Sequence, residues 1–302
     1  MVYKIFACPF KNHQVRRKNP GTELICIIAQ LHYCMMTKFF CRIDKKKFSH
    51  KKIHLYAMKK SWCCIWLLVT CFTAAAQPLI HSHNDYQQPE PLAHALRQQV
   101  FSLEADIYLS GGRLLVAHNK NELAAAPSLD SMYLQPIIAL FRQYGGTISA
   151  DKKYAPVLMI DIKDSGEAVI AQLIQLLSPH RSVFDRSVNA KAVQVVLSGD
   201  RGAVSKWVSY APYIFFDGRP YEVYDSATLQ RVAFISDNYT NYISPQDSAS
   251  RLQQLVKNVH GMGKLLRLWG CPDTPASWKQ QQEWGVDIIN TDRVGECRKY
   301  LR

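Results

Sequence analysis

Acidic residues are almost absent from the first quarter of the chain. Residues 1–76 contain 14 of the 37 Lys+Arg residues but only two acidic residues, Glu23 and Asp44. Residues 77–302 contain 23 basic and 22 acidic residues, so nearly all of the net charge of +13 belongs to the front of the chain. This distribution argues against a nucleic-acid-binding surface on the main body, and we expect no nucleic-acid partner.

The apolar run at 62–72 is too short to span a membrane, because a spanning helix needs about 20 residues. This run follows the charged segment 58–60 and precedes the small residues 74–76, the order found in a secretory signal peptide. We therefore expect a signal peptide at 58–76, a secreted or periplasmic location, and no transmembrane span in the mature chain. Residues 1–57 would then be a spurious or disordered extension.

Cysteine is scarce in the main body. Only Cys271 and Cys297, of nine cysteines, lie beyond residue 76, and they could either form a disulfide in an oxidising compartment or remain free thiols. The cysteines within 1–57 form no C-x-x-C pair, which disfavours a zinc module as the alternative reading of that segment.

Residues 77–302 contain no internal repeat, low-complexity tract or linker, and their length suits one α/β barrel. Runs such as PVLMID and AVQVVLS are apolar on both faces, as parallel strands covered by helices require. Alternation with amphipathic segments predicts eight such strands, at 78–83, 102–107, 156–162, 193–198, 213–217, 232–236, 264–269 and 286–290. The predicted fold class is therefore α/β, a (β/α)8 TIM barrel.

Helices are predicted between these strands, for example at 165–178, 246–260 and 275–284. For the first of these, Asp164 and Glu167 have the spacing of a capping box. For the last, Thr274 suits the N-cap and Gly285 the stop.

One further strand does not belong in the barrel. Residues 114–118 follow the second strand through the turn 110–113, which contains two glycines and is typical of a hairpin. Since a hairpin partner is antiparallel, we expect an arm at the C-terminal mouth that carries His118 to the rim.

Polar side chains cluster at or near the C-terminal ends of the predicted strands and on this arm: His81, His83, Glu104, Asp106, His118, Asp161 and Lys163. The three carboxylates make an all-oxygen ligand set that suits Mg²⁺ or Ca²⁺. A salt-bridge cluster with the lysine is the alternative. The histidines suit general acid and base catalysis.

The ordered set of His-Asn in SHNDY, Glu-x-Asp, a hairpin to His and Asp-x-Lys resembles the phospholipase C-like phosphodiesterase superfamily. That superfamily includes glycerophosphodiester phosphodiesterases and phosphatidylinositol-specific phospholipases C. The opening HSHNDY and the later segments VVLSGDRG, YIFFDGRP and LRLWG are similar to the branch named for the altered inheritance of mitochondria protein 6. The resemblance covers about residues 79–293 of the main body.

The resemblance implies a metal-dependent phosphoric diester hydrolase. Its substrate would be a glycerophosphodiester, a phosphoinositide or a related small-molecule or lipid-derived phosphodiester. By matching motifs it implies the following roles: His83 and His118 as the catalytic pair, Glu104, Asp106 and Asp161 as ligands of Mg²⁺ or Ca²⁺, and Lys163 and Trp269 as substrate-binding residues.

Two departures from the family pattern concern the first histidine. The His-Arg-Gly opening of the glycerophosphodiesterases is absent, and Glu90 stands nine residues after His81, near the position of a glutamate in those enzymes. That spacing would make His81 the first catalytic histidine. We favour His83, because the His-Asn pair is found in the phospholipase and mitochondrial-inheritance branches, and we place His81 with the substrate-binding residues.

Two other functions remain as alternatives. The pair His81-x-His83 also fits a metal-dependent amidohydrolase barrel, although the strands at 193–198, 213–217 and 232–236 lack the further histidines such enzymes need. The second alternative is a secreted binding protein that kept the barrel without its activity.

Overall fold

Nine strands form one sheet in the part of the chain that this computed structural model describes, residues 77–244 and 246–302. The strands are β1 (Leu79–Ser82), β2 (Ser102–Ser110), β3 (Arg113–Val116), β4 (Val157–Ile162), β5 (Gln194–Gly199), β6 (Ile214–Gly218), β7 (Val232–Asn238), β8 (Leu266–Trp269) and β9 (Ile288–Thr291). The predictions for 1–57 and for 58–76 lie outside the described residues.

Eight of these strands close into a parallel barrel. Their order is β1-β9-β8-β7-β6-β5-β4-β2, and the pairing of β1 with β2 completes the ring. The remaining strand, β3, pairs antiparallel with β2 on the outside of the ring, with Ile107 opposite Val116. The (β/α)8 barrel and its hairpin arm are therefore confirmed, and every predicted strand lies within three residues of its observed bounds.

Helices cover the barrel from outside. They are α1 (Ala93–Arg97), α2 (Gln135–Gln143), α3 (Gly166–Leu177), α4 (Arg181–Phe184), α5 (Ser226–Arg231), α6 (Ser248–Gly261), α7 (Pro275–Trp284) and α8 (Val294–Tyr300). Within the described residues, none of these helices is both long and apolar enough to cross a membrane.

The predicted caps of α7 are confirmed. The Thr274 side chain accepts a hydrogen bond from the Ser277 amide, and Gly285 ends the helix with a left-handed φ of 83°. This conformation favours glycine, since a side chain would meet the backbone.

The predicted capping box of α3 is wrong. The N-cap is Ser165, and its side chain makes no capping hydrogen bond. The Gly166 amide donates instead to Asp200, from the loop after β5, at 2.9 Å. Asp164 and Glu167 pair with lysines of other loops, so a long-range carboxylate has taken the place of the local cap.

The inside of the barrel has two layers, because side chains along a strand alternate between the helices and the interior. The layer nearer the N-terminal ends is apolar and consists of Val157, Met159, Val196, Phe234 and Ile288. The layer above it is polar, and its buried members are His81, Glu104, Ser198, Asp217, Ser236, Arg267 and Asn290. The candidate site stands on this polar layer.

Within the described residues, Cys271 and Cys297 form no disulfide with each other and are free thiols. Burial raises the pKa of each thiol to about 12, so both remain protonated at neutral pH.

Candidate active site

Three carboxylates meet at the C-terminal mouth of the barrel, and we call Glu104, Asp106 and Asp161 the acidic group. Asp106 on β2 is the register partner of Asp161 on β4, and Glu104 lies one inward position below on β2. Each residue offers a carboxylate oxygen, and these oxygens all lie within 4.8 Å of one another. Glu104 and Asp106 are buried and Asp161 is half-buried. Carboxylates this close repel one another unless positive charge lies between them.

Lys163 supplies part of that positive charge. Its ammonium group lies 2.7 Å from Oδ2 of Asp106 and 2.7 Å from Oδ2 of Asp161. Burial disfavours the charged form of Lys163, but the two carboxylates outweigh burial and raise its pKa. The salt-bridge cluster considered from the sequence is therefore present.

The lysine does not satisfy the whole acidic group, however. Oδ1 of Asp106 is buried and has no hydrogen-bond partner in the described part of the chain. Burial and the neighbouring charge of Glu104 raise the pKa of Asp106. An orphaned carboxylate oxygen among three clustered carboxylates is a costly arrangement for a purely structural cluster. The donor set, which is all oxygen, fits a hard divalent cation.

His118 reaches the acidic group from the hairpin arm, as expected. Its Nδ1 lies 3.0 Å from Oδ2 of Asp106, and the Tyr86 hydroxyl lies 2.9 Å from the same carboxylate oxygen and 3.1 Å from Nδ1. When Nδ1–H donates to Asp106, the other ring nitrogen, Nε2, is left to act on a substrate. The side chain of His118 is 47% exposed, which gives that nitrogen access to the mouth.

His83 lies just beyond β1 and has an orienting carboxylate of its own. Its Nδ1 lies 2.8 Å from Oδ1 of Asp292, the residue that follows β9. Burial alone would lower the pKa of His83, but the hydrogen bond to Asp292 and the charge of Glu104 outweigh burial and raise it. The His83 side chain is 33% exposed, so it too faces the mouth.

Asp85 fixes the loop that carries His83 and Tyr86. This buried carboxylate accepts hydrogen bonds from the Ser82 hydroxyl, the Leu92 amide and the Tyr133 hydroxyl at 2.7–2.9 Å. The aspartate of HSHNDY thus holds the loop, while the histidine and tyrosine on either side of it point to the site.

His81 lies below the acidic group and is fully buried. Its Nε2 lies 2.8 Å from Oε2 of Glu104, and its Nδ1 lies 2.7 Å from the Ser102 hydroxyl. Burial and the nearby charge of Arg267 lower the pKa of His81 well below its usual value, so the ring is neutral. The neutral ring then donates from Nε2 to the carboxylate and accepts the serine hydroxyl at Nδ1.

Glu90, whose spacing favoured His81 as a catalytic residue, lies at the surface and pairs with Arg97. It takes no part in the acidic group. The structure therefore brings His83, His118, Lys163 and the acidic group together at the mouth, and it places His81 underneath them.

A buried charge network, which sequence reasoning missed, adjoins the acidic group. Arg267 on β8 lies 3.1 Å from Asp217 on β6, and it hydrogen-bonds to Ser236 at 2.9 Å and to Asn290 at 2.8 Å. Its Nη1 is 3.9 Å from Oε2 of Glu104. The charges of the arginines beside Asp217 outweigh the effect of burial and lower its pKa, so this carboxylate is ionised. One guanidinium group thus links the inward faces of five barrel strands.

Trp269 ends β8 at the mouth and is half-buried. The guanidinium of Arg219, which follows β6, lies 4.8 Å from the centre of its ring. The predicted substrate-binding tryptophan therefore lies at the rim, stacked on an arginine that the sequence analysis did not single out.

Comparison with known proteins shows which family this part of the chain resembles. The sequence model of the AIM6-like phosphodiesterase domain matches residues 70–217. Over these residues the chain is similar to the AIM6-like phosphodiesterase family. The match includes both mouth histidines, Lys163 and the whole acidic group, whereas Trp269 and Asp292 come from later strands of the same barrel.

Fungal proteins of this family are similar over most of the main body. The altered inheritance of mitochondria protein 6 of Eremothecium gossypii is 27% identical over 268 residues, which covers 73% of this chain and 69% of that protein. Its homolog in Arthroderma benhamiae is 23% identical over 263 residues, covering 74% and 83% respectively.

Among solved structures, a glycerophosphodiester phosphodiesterase from Parabacteroides distasonis superposes with a TM-score of 0.51 at 15% identity. The match covers 74% of this chain and 96% of that one. At this level of identity the likeness shows the shared barrel fold and nothing finer.

Proposed function

We propose that this protein is a metal-dependent phosphoric diester hydrolase that uses two histidines as general acid and base. The observation that carries the proposal is the double engagement of Asp106. One oxygen, Oδ2, orients His118, and the other, Oδ1, is buried without a partner in the acidic group. One carboxylate can therefore connect a cation to a catalytic histidine. A glycerophosphodiester, a phosphoinositide or a related lipid-derived phosphodiester is the proposed substrate.

Glu104, Asp106 and Asp161 would hold the cation, and their oxygen donors favour Mg²⁺ or Ca²⁺. When bound, such a cation offsets negative charge on the phosphoryl oxygens. Lys163 provides a second positive charge at the same place, since its ammonium already lies between two of these carboxylates.

The surroundings of the two histidines suit them to different roles, one as general acid and the other as general base. The raised pKa of His83 keeps its ring protonated closer to neutral pH, which suits the acid that protonates the leaving oxygen. His118, with Nδ1–H held by Asp106, offers the lone pair of Nε2 to the proton of the attacking water or substrate hydroxyl. Each ring has a carboxylate on Nδ1, and each therefore acts through Nε2.

The amidohydrolase alternative is less well supported. Within the described residues, the acidic group is the one cluster of His, Cys, Asp and Glu that could hold a metal, and it contains no histidine. A zinc hydrolase would instead use imidazole ligands. Zinc that stayed bound through dialysis would favour this alternative.

A hydrolysis assay tests the proposal. The purified protein is incubated with bis(p-nitrophenyl) phosphate and glycerophosphocholine in Mg²⁺, in Ca²⁺ and in chelator. We expect cation-dependent turnover, and we expect His118→Ala to lower kcat by about 100-fold, the scale of a lost acid-base group. His180→Ala, which alters a histidine between α3 and α4, is the matched control and should retain full activity.

Unchanged turnover in His118→Ala would refute the two-histidine assignment. Wild-type protein that binds phosphodiesters but does not cleave them would instead support the inactive binding protein.

We also propose that the protein is exported, on the strength of the charged, apolar and small-residue pattern at 58–76. N-terminal sequencing of the exported protein should then begin close to Gln77. A mature protein that begins before residue 58 would contradict the signal peptide at 58–76.

A further inference from the structure

Arg219 has an unusual distribution of hydrogen bonds around its guanidinium. Nη1 lies 2.9 Å from Oδ2 of Asp217, 3.1 Å from the Asp217 carbonyl oxygen and 3.0 Å from the Gly218 carbonyl oxygen. Nη2 has a single long contact, at 3.4 Å to the Ser198 hydroxyl. Nε donates to no residue in the described part of the chain, and it is not among the buried unpartnered atoms there. The donors along the Nε–Nη2 edge are therefore largely unused.

This edge is the one that matters for anions. The N–H groups on Nε and Nη2 point in parallel and form a fork that binds two oxygens of a phosphate or carboxylate at once. In Arg219 the opposite nitrogen, Nη1, makes the contacts with the Asp217 carboxylate and with the carbonyl oxygens of Asp217 and Gly218.

The residue is also held firmly in place. Its amide donates to Oε2 of Glu222 at 2.9 Å and to the Tyr224 hydroxyl at 2.8 Å, and Trp269 covers one face of its guanidinium. Only 11% of the side chain is exposed. A fixed, nearly buried arginine loses little conformational freedom when it binds a ligand.

Arg219 lies at the same end of the barrel as the acidic group. Arg219 follows the C-terminal end of β6, and Ser198, which its Nη2 approaches, is the register partner of Asp161 on the adjacent strand β4. The guanidinium and the acidic group thus lie on the same mouth, separated by the end of β5.

The local charges favour an anion between them. Asp217 faces two guanidinium groups, those of Arg219 and Arg267, so one negative charge meets two positive charges. Two further carboxylates are nearby: Glu222, which pairs with Arg201 at 2.9 Å, and Glu104, which lies 3.9 Å from Arg267. A cation held by Glu104 would engage that carboxylate, and an anion at the open edge of Arg219 would then balance the remaining positive charge.

We propose that Arg219, backed by Trp269, is an oxyanion-binding subsite of the barrel mouth. Its ligand is a phosphate oxygen pair, either on the phosphodiester that is cleaved or on a second phosphate carried by the substrate alcohol. The inference extends the proposed phosphodiesterase function to a named contact for the substrate anion. The subsite itself can be measured without catalysis.

The first experiment measures binding of inorganic phosphate to the purified full-length protein by calorimetry, in chelator, so that no cation contributes. We expect wild-type protein to bind phosphate, and we expect both Arg219→Gln and Arg219→Lys to weaken binding by about tenfold or more, since the lysine lacks the fork. Arg97→Gln removes an exposed arginine on α1 and should leave phosphate affinity unchanged.

Arg219→Gln leaves Asp217 with one cation fewer and could fail to fold, so melting of each variant is followed by circular dichroism. Arg219→Lys retains the positive charge and decides the question if the glutamine variant is unfolded. Undetectable phosphate binding by the wild type, or equal affinity in a folded Arg219→Lys protein, would overturn the subsite.

The second experiment identifies the source of the phosphate. KM is measured with Mg²⁺ for glycerophosphocholine and for a phosphodiester whose alcohol carries an additional phosphate. A rise in KM for both substrates in Arg219→Lys assigns the fork to the cleaved phosphodiester, and a rise for the second substrate alone assigns it to the extra phosphate. An unchanged KM for both contradicts a substrate contact. If no substrate is cleaved at all, the proposed function fails. The phosphate affinity measured by calorimetry still tests the subsite in that case.

Discussion

His83 and Asp292 are 209 residues apart in the chain, yet their Nδ1 and Oδ1 atoms lie 2.8 Å apart at the mouth of the barrel. They meet because β1 and β9 are adjacent in the closed ring, with Ser82 opposite Thr291. The His83 amide also donates to the Thr291 carbonyl at 3.1 Å. The orientation of this histidine therefore depends on closure of the barrel by its last strand.

The first prediction concerns the charge of this pair. Asp292→Asn removes the carboxylate that raises the pKa of His83, so that pKa should fall. As the general acid, His83 must be protonated, and its protonated fraction is lost as pH rises through its pKa. The alkaline limb of the kcat/KM profile should therefore move to lower pH, with a loss of roughly tenfold at neutral pH.

Asp287→Asn is the matched control for that experiment. Asp287 lies at the opposite end of β9 and pairs with His260 at 2.8 Å. Its removal should leave the pH profile in place. A profile that Asp292→Asn does not shift would rule out His83 as the acid.

The second prediction separates the two histidines of HSHNDY. His81→Ala removes a buried ring and leaves the Ser102 hydroxyl and a Glu104 oxygen without partners, at a cost of about 2 kcal/mol or more in the free energy of unfolding. His83→Ala alters a partly exposed ring and should change stability far less, while it abolishes most turnover. Urea unfolding and kcat are measured for both variants. A stable, inactive His81→Ala protein with an active His83→Ala protein would reverse the assignment.

The third prediction concerns the cation. Asp161→Asn should weaken Mg²⁺ or Ca²⁺ binding by roughly tenfold or more, because the acidic group loses one of its three carboxylates. Calorimetry measures this affinity. Asp164→Asn, three residues further along and paired with Lys120, should bind the cation as the wild type does. Equal cation affinity in the Asp161 variant would show that Asp161 is not a ligand of the cation.

The barrel could be predicted because its signal is local. Parallel strands covered by helices are apolar on both faces, and eight such runs are visible in the sequence. The arm could be predicted for a similar reason, since two glycines in the turn at 110–113 force β3 back along β2. The positions of Glu104, Asp106 and Asp161 followed from the period of two along each strand.

Long-range partners could not be read in this way. Asp292 follows a strand with no local sign of its contact with His83. The cap of α3 was predicted wrongly for the same reason, since Asp200 of another loop took the Gly166 amide. Arg267 did leave a signal. Arg267 lies between Leu266 and Leu268 on its strand and shares the inward face with Trp269. This alternation indicates a charged side chain inside the barrel.

The hairpin turn offers a practical site for chemical labelling. Gly111 and Gly112 have φ values of 55° and 71°, and no atom of the described residues lies within 4 Å of the place where a side chain on either would begin. The ladder of β2 and β3 below the turn fixes the register that carries His118. A short tag or a fluorophore inserted between the two glycines would therefore report from the rim while the imidazole keeps its place.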